Sequence, residues 1–164
     1  MRGIEPGADP VIGHLQRAAE QIQEDVATAI AGLTPAQLWT APQGATTAGF
    51  HAKHLAGSTE RLCTYLAGRQ LTPEQLSAIA KEAEGDETAP ELLATIDRAL
   101  GIYRILLQSL NPQNFAEVRE IGRKRYRTTA ISVAIHIAEH AQRHIGGMIA
   151  AAKSARSAPE APQS

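Results

Sequence analysis

Apolar residues return every three or four positions over four long stretches of the chain, the spacing that gathers them on one face of an α-helix. In the first stretch Val11, Leu15, Ala18, Ala19, Ile22, Val26 and Ile30 share a face. Asp9-Pro10 ahead of them supplies a cap and a first-turn proline, and Gly32 marks the end. The second helix starts at Thr46 or Thr47, runs through FHAKHLAGSTERLCTYLAG and stops near Gly68, with Phe50, His54, Leu55, Leu62 and Leu66 turned inward. The third runs from about Thr88 to Leu110 on Leu92, Leu93, Ile96, Leu100, Tyr103, Leu106 and Leu107, and Asn111-Pro112 ends it. Thr128 or Thr129 caps the fourth, which extends to about Ala152.

The connections carry turn chemistry. In LTPAQLWTAPQGATT, Thr34-Pro35 caps one short turn and Trp39 is expected to anchor the loop. LTPEQLSAIAKEAE, residues 71–84, predicts a short accessory helix: Thr72 caps it, Pro73 fills the first position and Gln75 completes a capping box. Residues 114–127 alternate Val118 and Ile121 with charge around Gly122, which suits a loop or a short hairpin. Together these elements predict an all-α fold, an antiparallel up-down-up-down four-helix bundle with a short accessory helix and long connecting loops. In that order the second and fourth helices run parallel. One domain, 1–153, accounts for the helices, and SARSAPEAPQS (154–164), small, polar and Pro-rich, reads as a disordered tail.

Composition agrees with helices. Of the 164 residues, 43% are hydrophobic and only 4% aromatic, a mix poor in strand formers. The net charge of −1 gives no basic face for nucleic acid. The run Arg123, Lys124, Arg125 and Arg127 reads as a solvated loop. Cys63 is the only cysteine, so no disulfide forms within the chain, and Leu62 and Leu66 beside it suggest a small buried apolar role. MRGIEPGADP lacks the apolar stretch of a signal peptide, and no window is apolar enough to span a membrane. A cytoplasmic protein is the expectation.

The chemistry is concentrated in histidines. There are six; IHIAEHAQRH sets His136, His140 and His144 four apart on one helical face, and His51 and His54 lie on the second helix. Two imidazoles four apart reach one ion, and a third from another helix leaves a position open for water or substrate, the pattern of catalytic zinc. Ile135, Ala138, Ile145 and Met148 interleave with the trio, so part of this face should be buried, where imidazoles without partners are costly. Spacing does not choose among them: His136 with His140 and His140 with His144 are equal pairs, and His51 competes with His54. His14 stands alone and reads as an accommodated or surface side chain.

FHAKHLAGSTERLCTYLAG, followed far downstream by AIHIAEHAQRHIGGM, resembles the DinB-like (YfiT-type) superfamily of metal-dependent four-helix bundles, over about residues 10–152. The resemblance implies His54, in its His-Leu step, with His140 and His144 as ligands of a divalent metal, and His51 and His136 as neighbours or alternative ligands. Where that family commonly carries Arg-Gly-Gln after the last ligand, this chain has Ile145-Gly146-Gly147. The implied cofactor is a divalent ion, zinc first, with nickel or another as alternatives.

Such an ion acts on bound water or holds a thiolate deprotonated. The resemblance therefore implies a small-molecule enzyme, either a transferase or isomerase using a low-molecular-weight thiol such as bacillithiol or mycothiol, or a hydrolase. The opposing reading is a non-catalytic bundle whose histidines or metal serve structure, sensing or dimer formation. Glu60 and Glu139 are the nearby carboxylates for proton transfer, Arg61 lies seven residues from His54 on its face, and Tyr65 and Tyr126 are candidates for the rim. A homodimer is the expected assembly; no nucleophilic side chain is assigned.

Overall fold

A computed structural model describes residues 3, 7, 9–41 and 44–157. Four long helices form the bundle: α1 (Pro10–Ile30), α3 (Ala48–Leu66), α5 (Ala89–Ser109) and α6 (Ala130–Ser157). Between them lie α2 (Pro35–Trp39), the accessory helix α4 (Pro73–Ala78) continued by a 3-10 turn (Ile79–Lys81), and a two-stranded hairpin, β1 (Val118–Ile121) with β2 (Tyr126–Thr129).

Local chemistry sets the boundaries. The Asp9 carboxylate accepts from the N–H groups of Val11 and Ile12 at 2.9 and 3.2 Å. Thr47 accepts from Phe50, and capping boxes open α2, α4 and α5. At the end of α3, Gly68 takes a positive φ of 73°; its N–H bonds the Tyr65 carbonyl while the Arg69 N–H reaches back to Thr64, the left-handed stop that only glycine adopts without strain. Thr129 caps α6 through the Ser132 N–H. That helix continues past the expected end near Ala152 to Ser157, because Arg156 fastens its last turn to the carbonyls of Ala29 and Ala31. The first four residues assigned to a tail are therefore helical, and 158–164 lie outside the described residues. Residues 114–127 contain the hairpin rather than a plain loop. Val118 pairs with Thr129 and Ile121 with Tyr126, and Gly122 and Arg125 take positive φ in the turn. The basic run sits on that turn, solvent-exposed, with Arg125 paired to Glu120.

The four-helix bundle, its accessory helix and its long connections are as expected, but the directions do not alternate. Lys53 near the start of α3 pairs with Glu87 just before α5, so these helices run parallel. Arg119, just ahead of α6, donates to the carbonyl of Leu66 at the end of α3, so α3 and α6 are antiparallel. The Arg156 contacts make α1 and α6 parallel, and Gln16 donating to the Arg104 carbonyl makes α1 and α5 antiparallel. The order is down-up-up-down. α3 packs mainly on α6 and α5, α1 on the same two, so α1 faces α3 and α5 faces α6 across the core. The reason is the connection 67–88, which runs back along the whole length of α3, roughly 28 Å for its 19 residues, before α5 begins. Its length is used for a crossover.

Ile22, Val26, Ile30, Leu38, Leu55, Ile96, Leu107 and Met148 are fully enclosed. Tyr103 spans the core, its hydroxyl donating to the Ala134 carbonyl at 2.8 Å. Val11, assigned to the inner face of α1, is exposed because it lies in the first turn, beyond the edge of the core. Among the described residues no helix is long and apolar enough to cross a membrane.

Candidate metal centre

α3 carries His51 and His54 two turns or less from its start, and α6 carries His136, His140 and His144 through its middle. Because the two helices are antiparallel neighbours, the lists meet in reverse: His51 lies against His144, and His54 against His140 and His144. Small or fully buried residues flank them, Ala52 and Leu55 on one helix, Ala141 and Ile145 on the other. The rings themselves are half-buried at the surface between the helices.

His54, His140 and His144 each offer one ring nitrogen within 4.8 Å of the other two, and among the described residues this is the group so arranged. The Nε2 atoms of His54 and His140 are 3.1 Å apart. Two nitrogens bound at ~2.0–2.1 Å to a tetrahedral ion stand about 3.3 Å apart, so this pair fits a shared cation with little movement. The choice that helical spacing leaves open is thus narrowed by geometry: of the α6 histidines, His140 and His144 are the ones that converge with His54.

The electrostatics favour the neutral, lone-pair-bearing imidazole. Burial, then the neighbouring His54, brings both His140 and His144 down to about 4, with lesser contributions from further cations and histidines. Burial and His54 also lower His51. Near neutral pH these three rings are uncharged donors of the kind a metal requires.

His51 and His136 are set at opposite ends of the cluster. His51 lies with Nδ1 3.1 Å from Nδ1 of His144 and Nε2 2.8 Å from the Thr46 hydroxyl. Its ring rests on Gly147, where an added Cβ would stand 2.5 Å from the ring. The glycine that replaces the polar residue of Arg-Gly-Gln therefore makes room for this fourth imidazole. His136 is exposed, its ring 5.7 Å from that of His140, and Nδ1 is 3.8 Å from the equally exposed Glu139 carboxylate.

One residue in this site was not anticipated. Glu82, 5% exposed, comes from the crossover just after the 3-10 turn. It accepts from Nδ1 of His54 at 2.7 Å and is paired to Arg61, which binds both its oxygens. Burial raises the Glu82 carboxyl, but the hydrogen bonds and charges of His54 and Arg61 outweigh it and hold the group below the usual carboxylate range. Glu82 sits in an acidic stretch with Glu84, Asp86 and Glu87, and nothing in the pattern singles it out. Phe50 stacks on the other side of His54, ring centres 5.5 Å apart.

The remaining candidates are placed elsewhere or occupied. Arg61 is buried and paired with Glu82. Glu60 points to the accessory helix, where it accepts from Gln75. Tyr65 is buried within the bundle, and Tyr126 is 73% exposed on the hairpin, at the end of the molecule where α6 begins. His14 is exposed on α1, as expected of a lone histidine. Cys63 is buried, with burial and then Glu60 pushing its thiol up to about 12.

Residues 18–148 match the family model of the DinB superfamily. No curated protein matches the chain. Among solved structures, YfiT from Bacillus subtilis superposes with a TM-score of 0.67 at 18% identity, over 94% of this chain and 93% of that one. It is described as a probable metal-dependent hydrolase with an unusual four-helix bundle topology. At that identity the likeness is one of fold.

Proposed function

The chain belongs to the DinB superfamily, and from that premise and its histidine cluster we propose that it is a metal-dependent enzyme acting on a small molecule, either a hydrolase or a thiol-dependent S-transferase or isomerase. The observation that carries this reading is the convergence of His54, His140 and His144 within 4.8 Å from two helices. Three imidazoles with one side toward solvent make a site that keeps a coordination position open. Zinc suits this donor set best, and nickel is the next choice.

A divalent ion held there supplies Lewis acidity, lowering the pKa of water or of a thiol toward neutrality. The protein's own share is to hold the His140 and His144 rings neutral, to fix the orientation of all three and to shield their inner edge from water. Of the carboxylates available for proton transfer, Glu139 stands on the ligand helix at the solvent edge beside His136, and we assign it that role. Glu60, tied to Gln75, is not carried forward, nor are Tyr65 and Tyr126.

A second reading has its own support. His51 lies 3.1 Å from His144, beside the three convergent rings, and a shift of its ring toward them would supply a fourth ligand, which makes the metal structural and the bundle non-catalytic.

The test is metal content per chain, by mass spectrometry of tag-free protein purified without added metal, for wild type and for His140→Ala and His144→Ala. Near-stoichiometric zinc or nickel, lost in both variants, supports the site; unchanged metal in the variants refutes it. Cobalt substitution then counts ligands. A spectrum that responds to added thiol or azide indicates an open position and directs hydrolase and thiol-transfer assays, whereas a four-coordinate spectrum abolished by His51→Ala favours the structural reading. We also propose a homodimer in the cytoplasm; light scattering that finds only a 17.5 kDa species overturns the dimer.

A further inference from the structure

We propose that Glu82 is a positioning residue for the metal centre, fixing His54 as the Nδ1–H tautomer so that its Nε2 lone pair faces His140 and His144. This rests on the metal reading above. Three independent features of the chain converge on it. The first is the contact itself. An ionised carboxylate only accepts, so the 2.7 Å contact requires the proton on Nδ1 of His54; in the neutral ring Nε2, the atom 3.1 Å from His140, is then the acceptor. A carboxylate behind the distal nitrogen of a ligating imidazole also raises its basicity toward a metal.

The second is the counter-ion. Arg61 binds both oxygens of Glu82 and is itself buried, so the carboxylate is held in place by a charge at its back. A buried Glu–Arg pair is not needed to hold a bundle together, and two apolar residues would serve the core as well. Its placement against His54 gives it a purpose.

The third is a glycine in the middle of α3. Glycine weakens a helix interior. At Gly57 an added Cβ would collide with the Glu82 carboxylate and stand 2.9 Å from the Arg61 guanidinium. His54, Gly57 and Arg61 fall at positions i, i+3 and i+7, one face of the helix, with the glycine as the notch between a base and a cation. The carboxylate fills that notch from outside. It is delivered by the crossover, which is clasped to α3 on either side of it: Gln75 bonds Thr64 above, and Lys53 bonds the Glu84 carbonyl and the Glu87 carboxylate below.

The test uses the full chain with zinc alone as the probe, its affinity read by competition with a chromophoric chelator. The tautomer of His54 is read by ¹⁵N–¹H NMR of its ring in zinc-free protein. Glu82→Ala removes the acceptor, and Gly57→Ala evicts the carboxylate while keeping both charges. Each is expected to weaken zinc binding about 10- to 100-fold and to change the His54 ring from a single Nδ1–H form to a mixture. Folded variants, by circular dichroism, that bind zinc within about twofold of wild type overturn the role of Glu82. Should both variants fail to fold, the wild-type spectrum decides: an Nε2–H tautomer refutes the assignment. A wild type that takes up no zinc refutes the metal reading itself, and is distinguishable because no variant is involved.

Discussion

Gly146 and Gly147 are adjacent in the same turn of α6, yet alanine should have opposite consequences at the two positions. In a helix interior Gly→Ala is worth about 0.5–1 kcal/mol of stability, from backbone entropy alone. A Cβ at Gly146 meets nothing within 4 Å, so that gain should appear in full. At Gly147 the Cβ would lie 2.5–3.1 Å from three atoms of the His51 ring. The ring must swing away and give up its contacts to His144 and Thr46, at 3.1 and 2.8 Å. Two hydrogen bonds at ~0.5–1.5 kcal/mol each cost about 1–3 kcal/mol. Against the helix gain, Gly147→Ala should be destabilising by between zero and about 2.5 kcal/mol. For a chain of this size 1 kcal/mol is ~2–4 °C, so Gly146→Ala should melt above wild type and Gly147→Ala at least about 2 °C below Gly146→Ala. The assay is thermal unfolding by circular dichroism with a chelator present, so that metal does not contribute. Equal upward shifts in the two variants would refute the packing of His51 on α6, and with it the fourth imidazole beside His144.

Other parts of the molecule give further expectations. With burial and then Glu60 pushing it up to about 12, the Cys63 thiol is roughly one part in ten thousand thiolate at pH 8, so Ellman's reagent should react only as fast as the protein unfolds; prompt labelling of native protein would contradict its burial. Tyr103→Phe deletes the hydroxyl that donates to Ala134 across the core and should cost about 1–2 kcal/mol in urea unfolding with an unchanged m-value. Burial raises the Glu87 carboxyl, but Lys53, 2.6 Å away, and backbone donors lower it further, so its folded value lies below its unfolded one. The contribution of that pair is complete above the ordinary carboxylate value, ~4.3, and is lost as pH falls through the lowered one. Urea midpoints measured down through that window should therefore drop more steeply for wild type than for Glu87→Gln.

What the sequence made legible was periodic or local. Helix ends fell where Asp9, Thr47, Thr88 and Gly68 announce caps, because a cap is satisfied within a few residues and needs no knowledge of the fold. His54, His140 and His144 cluster in the structure, and the spacing of the two on α6 was legible because spacing along one helix is itself a local property. Glu82 was invisible because its partners lie 21 and 28 residues back and only the crossover brings it to them. The partner of Arg61 was hidden for the same reason: seven residues from His54 it shares that face of α3, but the carboxylate that occupies it comes from elsewhere in the chain. The end of α6 was hidden too, as Arg156 finds its acceptors on α1, more than a hundred residues away.

The departure from alternating directions matters most for the chemistry. In an up-down-up-down ring the second and fourth long helices stand diagonally across the core. Histidines facing one another from those helices would then be enclosed among Leu55, Ile137 and Met148, with no route for a substrate. In the down-up-up-down order α3 and α6 are neighbours, and the same side chains meet half-buried at the surface between them. The rings are dry enough for His140 and His144 to stay neutral, yet open on one side to solvent. That order demands a connection long enough to return along α3, and the return path lays residues 82–87 against the outer face of α3. The crossover that allows this meeting is thus also the segment that brings Glu82 to His54. A shortened crossover that retained the α3 and α6 histidines would have to restore alternation, and would separate these histidines as well as remove the carboxylate beside His54.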